Sequence, residues 1–120
     1  MSGLSYAVRE VGGIPVVSAP AEIDIANSGE FRSVLLNAAR MSPTIVVDLS
    51  GTEFCDSSGL SVLVRALRRA QADGGEIRLV ARTTAVLRIL SVTGVGSIFG
   101  IFASLEEALA KPPPELAPAP

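Results

Sequence analysis

The residues of this chain best placed to do chemistry are Phe54-Cys55-Asp56-Ser57-Ser58-Gly59-Leu60. An apolar run ends just before them and a helical pattern begins just after, so the spacing predicts a turn from strand to helix. The first N–H groups of a helix have no partner within it, and with the helix dipole they favour a negative group at that point. A serine set there can take up a phosphate. Phosphorylation of Ser57 would add about −1.5 to −2 charges beside Asp56, with Glu53 nearby in sequence. Were the fold to bring Glu22 and Asp24 close, a docked partner would meet a much stronger negative field, and binding should weaken. Helix capping alone would also use Asp56, Ser57 and Ser58, and it is compatible with a switch.

Other chemistries find less support. The hydrolase elbow requires Gly-x-Ser-x-Gly, and Cys55 stands where its first Gly belongs. The chain has no His, which removes the usual base, imidazole catalysis and most zinc sites. No catalytic residue, metal or cofactor is expected. The one cysteine, Cys55, cannot form an internal disulfide, which suits a reducing compartment. A helix N-terminus would activate its thiol while Asp56 would oppose that, and a buried small apolar side chain is the simpler reading. Glu22 and Asp24 lack further spaced ligands and read as a solvated acidic loop. Arg65, Arg68 and Arg69 form a basic helix face, either the wet side of that helix or a partner contact. Gly74-Gly75 and Gly94-Val95-Gly96 lack the Gly-Lys-Ser/Thr ending of a phosphate loop and read as turns.

The elements that must position this turn follow from periodicity. Leu4 to Val11, with Leu4, Tyr6 and Val8 alternating, and Ile14 to Ala19 predict a hairpin closed by Gly12-Gly13. Pro15 lacks a ladder donor and implies an open side or a bulge in its strand. Ala21 to Ile25 reads as a short loop. Asn27 or Ser28 would cap an amphipathic helix of about four turns. In that helix Phe31, Leu35 and Ala38 face inward; Glu30, Ser33, Asn37 and Arg40 face outward; Pro43 follows its end. Thr44 to Leu49 is a β-branched run without alternation, as in a central strand covered on both faces. A helix from about Ser58 to Ala72, with Leu60, Leu63, Val64, Leu67 and Ala70 inward, then leads through Gly74-Gly75 to a strand over Ile77–Ala81. That β-α-β unit should be right-handed with parallel strands. A short helix capped by Thr83 or Thr84 and ended at Gly94, a short strand over Ile98–Phe102, and a last helix opened by the capping box Ser104-Leu105-Glu106-Glu107 and running to about Lys111 complete the pattern.

The expected fold is thus α/β: a mixed sheet of four to five strands opened by an N-terminal hairpin, with about four helices packed mainly on one face. The chain has 120 residues, enough for one domain, here residues 1–111, followed by a mobile Pro/Ala-rich tail over 112–120. Hydrophobic residues make up 48% of it, yet no run is long enough to span a membrane and no signal core opens the chain. A soluble cytoplasmic protein is expected. The net charge of −2 at pH 7 provides no basic surface for nucleic acid or anionic membrane.

Asp56-Ser57-Ser58-Gly59-Leu60 resembles the acceptor motif of the bacterial anti-sigma factor antagonists of the STAS domain family. Ala21-Glu22-Ile23-Asp24 is similar to that family's Gly-Glu-Ile/Leu-Asp loop, Ile45–Ser50 to its central strand, Gly74-Gly75-Glu76-Ile77 to the start of its next strand, and Leu87–Gly94 to its third helix and turn. The resemblance runs from about residue 4 to about residue 110, with the elements in the same order. It implies that Ser57 is phosphorylated by a partner that is both anti-sigma factor and serine kinase, and that the unphosphorylated form binds this partner and frees a sigma factor. A PP2C-type phosphatase would reset the switch. Asp24 and Asp56 would frame the acceptor, and Glu22, Ser58, Gly59 and Ser61 would join them in the docking surface. The chain would be a substrate and binder, monomeric or weakly dimeric. Two positions depart from the family pattern: Ala21 replaces Gly, which matters if that residue needs positive φ, and Cys55 replaces an apolar residue such as Met. The competing readings are a STAS module of a transporter or lipid-trafficking assembly without a phosphorylated serine, and a nucleotide-binding or hydrolytic enzyme, for which no adequate residue set is present.

Overall fold

The computed structural model describes residues 6–97 and 99–110. In chain order the first half comprises β1 (Ala7–Val11), β2 (Ile14–Ser18), β3 (Glu22–Ile23), α1 (Ser28–Met41), β4 (Thr44–Asp48) and β5 (Phe54–Cys55). The second half comprises α2 (Ser57–Ala72), β6 (Glu76–Val80), α3 (Thr84–Thr93), a short 3₁₀ turn (Val95–Ser97), β7 (Gly100–Phe102) and α4 (Leu105–Ala110).

Gly12 and Gly13 have φ of 59° and 83°, so the β1–β2 hairpin closes on a two-residue turn with both central residues at positive φ. Glycine takes that conformation without a Cβ clash. Pairing of β2 with β4 begins at Val16, one residue beyond Pro15, which therefore breaks no ladder on that side. The main sheet has five strands in the order β1-β2-β4-β6-β7, with only β1 antiparallel. The β-branched run of β4 lies at its centre, as its lack of alternation predicts.

Three crossovers, β2 to β4 through α1, β4 to β6 through α2 and β6 to β7 through α3, step across the sheet in one direction. Right-handed connections then put all three helices on one face. The core on that face joins Ile45 and Val47 of β4 and Ile77 and Leu79 of β6 to Phe31, Leu35, Leu63, Leu67, Val86 and Leu90. The alternate residues Val16, Val46 and Val80 point to the other face, where Ala108 of α4 covers them. Burial on both faces is why these strands read as continuous apolar runs.

Several details differ from the sequence reading. Ala21–Ile25 is not simply a loop: Glu22 and Ile23 form β3, paired parallel to β5 in a second, two-stranded sheet. Two-residue strands are too short to leave a periodic signal. Helix α2 starts at Ser57, one residue early, because Asp56 is the cap. Asn27 precedes α1 but makes no side-chain cap hydrogen bond. Glu30, expected to face water, accepts the backbone N–H of Tyr6 at 3.1 Å. The readings at Leu4, Ile98, Lys111 and the 112–120 tail lie outside the described residues.

Candidate functional site

The site is built where the short sheet meets α2. Parallel pairing sets Glu22 opposite Phe54 and Ile23 opposite Cys55, and the N–H of Asp56 donates to the carbonyl of Ile23 at 3.0 Å. The carbonyl of Ala21 accepts from Glu53 N at 2.7 Å and Phe54 N at 3.1 Å. Ala21 itself is unstrained, since no non-glycine residue among those described has positive φ. Thr52 is fully buried; its hydroxyl donates to the Pro20 carbonyl at 2.8 Å, and its own carbonyl accepts from Thr83 Oγ1 at 2.7 Å. Thr52 thereby ties the segment before α2 to the end of β2 and to the cap of α3.

Asp56 has an extended backbone (φ −86°, ψ −177°), as an N-cap requires. Its Oδ1 accepts from Ser58 N at 2.9 Å and Gly59 N at 3.2 Å, and from the Ser58 hydroxyl as well. These donors hold the carboxyl below its ordinary pKa, the Ser58 hydroxyl most strongly; partial desolvation opposes them, and backbone donors from Gly59, Ser58 and Ile25 assist. The Ile25 contact ties the acidic loop directly to the cap. Ser57, the first residue of α2, is exposed, and among the described residues its hydroxyl has no hydrogen-bond partner.

The acidic loop is pinned as firmly. Asp24 Oδ1 accepts from Ala26 N at 3.0 Å and Asn27 N at 3.3 Å, closing a tight turn. Asn27 Oδ1 accepts from the Tyr6 hydroxyl at 3.0 Å and Asp24 N at 3.1 Å, and its amide donates to the Glu22 carbonyl at 2.8 Å. These bonds occupy the side chain that the sequence suggests as a helix cap. Tyr6 stacks on Phe31 with ring centroids 4.8 Å apart. Burial raises the Tyr6 pKa first, and the negative charge of Cys55, Glu30 and Asp24 adds to it.

Of the residues singled out in the sequence, Glu22, Ser57 and Ser61 are exposed, and Asp24, Asp56 and Ser58 are half-buried. Gly59 departs from the expectation that it joins the docking surface, since it is buried. A Cβ at that position would come within 2.5 Å of Ile23 Cγ2 and 2.8 Å of Cys55 Sγ, so the glycine seats α2 on the short sheet instead of facing a partner. Cys55 is buried, and burial with the Asp56 charge pushes its thiol up to about 11. It is an unreactive packing residue at neutral pH. Two apolar residues beside the acidic groups carry no contact role in the sequence analysis, although Phe54 opens the central stretch: Ile25 is 81% exposed and Phe54 49% exposed. Their only trace in the sequence is an apolar type next to a polar motif. Among the described residues no group of three or more Cys, Asp or Glu could hold a metal ion, and no helix is long and apolar enough to cross a membrane.

Comparison with known proteins places these observations in a family. The STAS domain model matches residues 5–108. The anti-sigma-F factor antagonist RsfA of Mycobacterium tuberculosis is 31% identical over 111 residues, covering 90% of this chain and 87% of the relative. The anti-sigma-B factor antagonist of Bacillus subtilis is 27% identical over 90 residues, 75% of this chain and 83% of the relative. The crystal structure of an anti-sigma factor antagonist from Mycobacterium paratuberculosis superposes with a TM-score of 0.79 at 30% identity, over 87% of this chain and 89% of that one.

Proposed function

The chain belongs to the STAS domain family, and on that footing we propose that it is an anti-sigma factor antagonist whose binding is switched off by phosphorylation of Ser57. Its relatives carry the name anti-sigma factor antagonist, which supports the partner class. The observation that carries the switch is the state of Ser57: an exposed hydroxyl, free of hydrogen bonds among the described residues, on the first residue of α2 beside a capping carboxylate.

In this reading the unphosphorylated protein docks on an anti-sigma factor with serine kinase activity, through Glu22, Asp24, Asp56, Ser58 and Ser61, and so releases a sigma factor. Ile25 and Phe54 supply the apolar anchors such an interface needs at its centre. The kinase transfers the γ-phosphoryl group of ATP to Ser57 Oγ; the hydroxyl proton is lost and ADP leaves. The product adds about −1.5 to −2 charges next to Asp56. Docking must then desolvate a dianion against carboxylates already on this surface, which disfavours the complex. The phosphate sits at a helix N-terminus, where negative charge is favourable, so the fold itself is retained and only docking changes. A PP2C-type phosphatase hydrolyses the phosphoester and resets the protein. The chain is therefore a substrate and a binder, not an enzyme.

The test is to incubate the protein with kinase-type anti-sigma factors and ATP, locate phosphate by mass spectrometry, and measure affinity. Phosphate is expected on Ser57, with Ser57→Ala binding like the parent and Ser57→Asp binding at least about tenfold more weakly, a change of about 1.4 kcal/mol. Modification at Ser58 or Ser61, or equal affinities for the two variants, would defeat the proposal. The complete absence of phosphate with all partners would favour a STAS interaction module of a transporter or lipid-trafficking assembly.

A further inference from the structure

A cleft of about 430 Å³ opens between α1 and α2, and of the residues proposed for docking only Ser58 and Ser61 line it. Its floor is apolar, formed by Leu35, Ile45, Val62, Ala66 and Ile77. Arg32 of α1 and Arg65 and Arg69 of α2 also line it, against a single acidic side chain, Asp73. Arg65 and Arg69 are four residues apart and so share one face of α2. None of the three guanidinium groups has an ion-pair partner among the described residues, where the Arg78–Glu76 pair takes up a different arginine. Three unpaired cations around an apolar floor, on a chain of net charge −2, concentrate positive potential at one place.

Small-molecule sites are concave, largely apolar and about 300–1,000 Å³ in volume, with a few polar groups that fix orientation. We propose that the α1–α2 cleft binds an amphipathic organic anion, an acyl or similar apolar body lying between the helices with a carboxylate or phosphate head held by Arg32, Arg65 and Arg69. Charge complementarity selects the head, since guanidinium groups match the planar and tetrahedral oxyanions with paired N–H donors. The apolar floor selects the body. Ser58 and Ser61 also line the cleft, so an occupant lies against the helix that carries Ser57. Binding itself does not depend on the phosphorylation reading.

The experiment is an isotope-edited NMR titration of the full chain with decanoate, decyl phosphate, decanol and inorganic phosphate. Both amphiphilic anions are expected to bind and shift resonances of α1 and α2; comparison of the two distinguishes a carboxylate from a phosphate head. Decanol and inorganic phosphate are expected to bind at least about tenfold more weakly, because each lacks one half of the recognition. The double variant Arg65→Gln/Arg69→Gln replaces exposed residues outside the core and should fold unchanged by circular dichroism while weakening decanoate by about tenfold or more. Decanol binding as tightly as decanoate, undiminished binding by the double variant, or shifts confined to the Ile25–Phe54 surface would each overturn the proposal. So would concentration-dependent self-association abolished by the same variant, which would assign the cleft to a second copy of the chain.

Discussion

Ser57 and Ser58 are adjacent and chemically identical, yet their hydroxyls differ in what holds them. Ser58 donates to Asp56 and is part of the helix cap, whereas Ser57 has no such tie and faces solvent. The cap also makes Asp56 sensitive to acid. Its carboxyl is held below the ordinary 3.8, so the folded state binds that proton more weakly than the unfolded chain. The stability it contributes is complete above 3.8 and is lost as pH falls through the lower folded-state value. Asp56→Ala should therefore melt at a lower temperature than the parent at pH 7, and the two melting curves should converge at the acid end of the titration. A gap of constant size across that range would mean the side chain acts through packing instead of as an ionised cap.

The short sheet and the first turn of α2 behave as one unit because Gly59 lets them touch. Ile23 and Cys55, the two residues a Cβ at 59 would strike, come one from each strand of the pair. Gly59→Ala must push α2 away from the sheet or distort both strands, and overpacking of this kind costs about 1–3 kcal/mol. Urea unfolding should show the unfolding free energy lowered by that amount, seen as a lower midpoint with little change in slope. An unchanged midpoint would show that the close seat of the helix is dispensable. Under the proposed switch, the same substitution is expected to reduce phosphorylation of Ser57, since the first turn of α2 moves with the helix.

Across the whole molecule, the sheet face opposite α1, α2 and α3 depends on α4 for cover, and a buried arginine holds that helix in place. Arg78 is fully buried; Nη1 donates to the Ala108 carbonyl at 2.7 Å, and Nε and Nη2 donate to Glu76 Oε2 at 3.0 and 2.7 Å. Arg78→Met keeps an apolar stem but, without the guanidinium, strands the Glu76 carboxylate and the Ala108 carbonyl. Removing one member of a buried pair costs roughly 3–5 kcal/mol, and the 23% exposure of Glu76 places this case toward the low end. Hydrogen exchange should show α4 and β6 losing protection while α1 and α2 keep theirs relative to the global stability. Uniform loss across all helices would indicate that α4 is not a separable layer.

The one-dimensional pattern of residues determined the central strand, the glycine-closed hairpin, the inward faces of α1 and α2, and the place of Ser57 at a strand-to-helix turn, because periodicity, turn chemistry and capping are all set by neighbours a few positions away. It did not reveal the β3–β5 pairing, the burial of Gly59, the bond that distinguishes Ser58 from Ser57, or the anchoring role of Arg78. Each of these joins segments whose contact exists only after the chain closes on itself, as when Thr52 reaches Pro20 from 32 positions away. Local pattern cannot encode such contacts, since their geometry comes from the packing of helices on both faces of one sheet. The cleft between α1 and α2 has the same origin: it is the space left where two right-handed crossovers lie side by side.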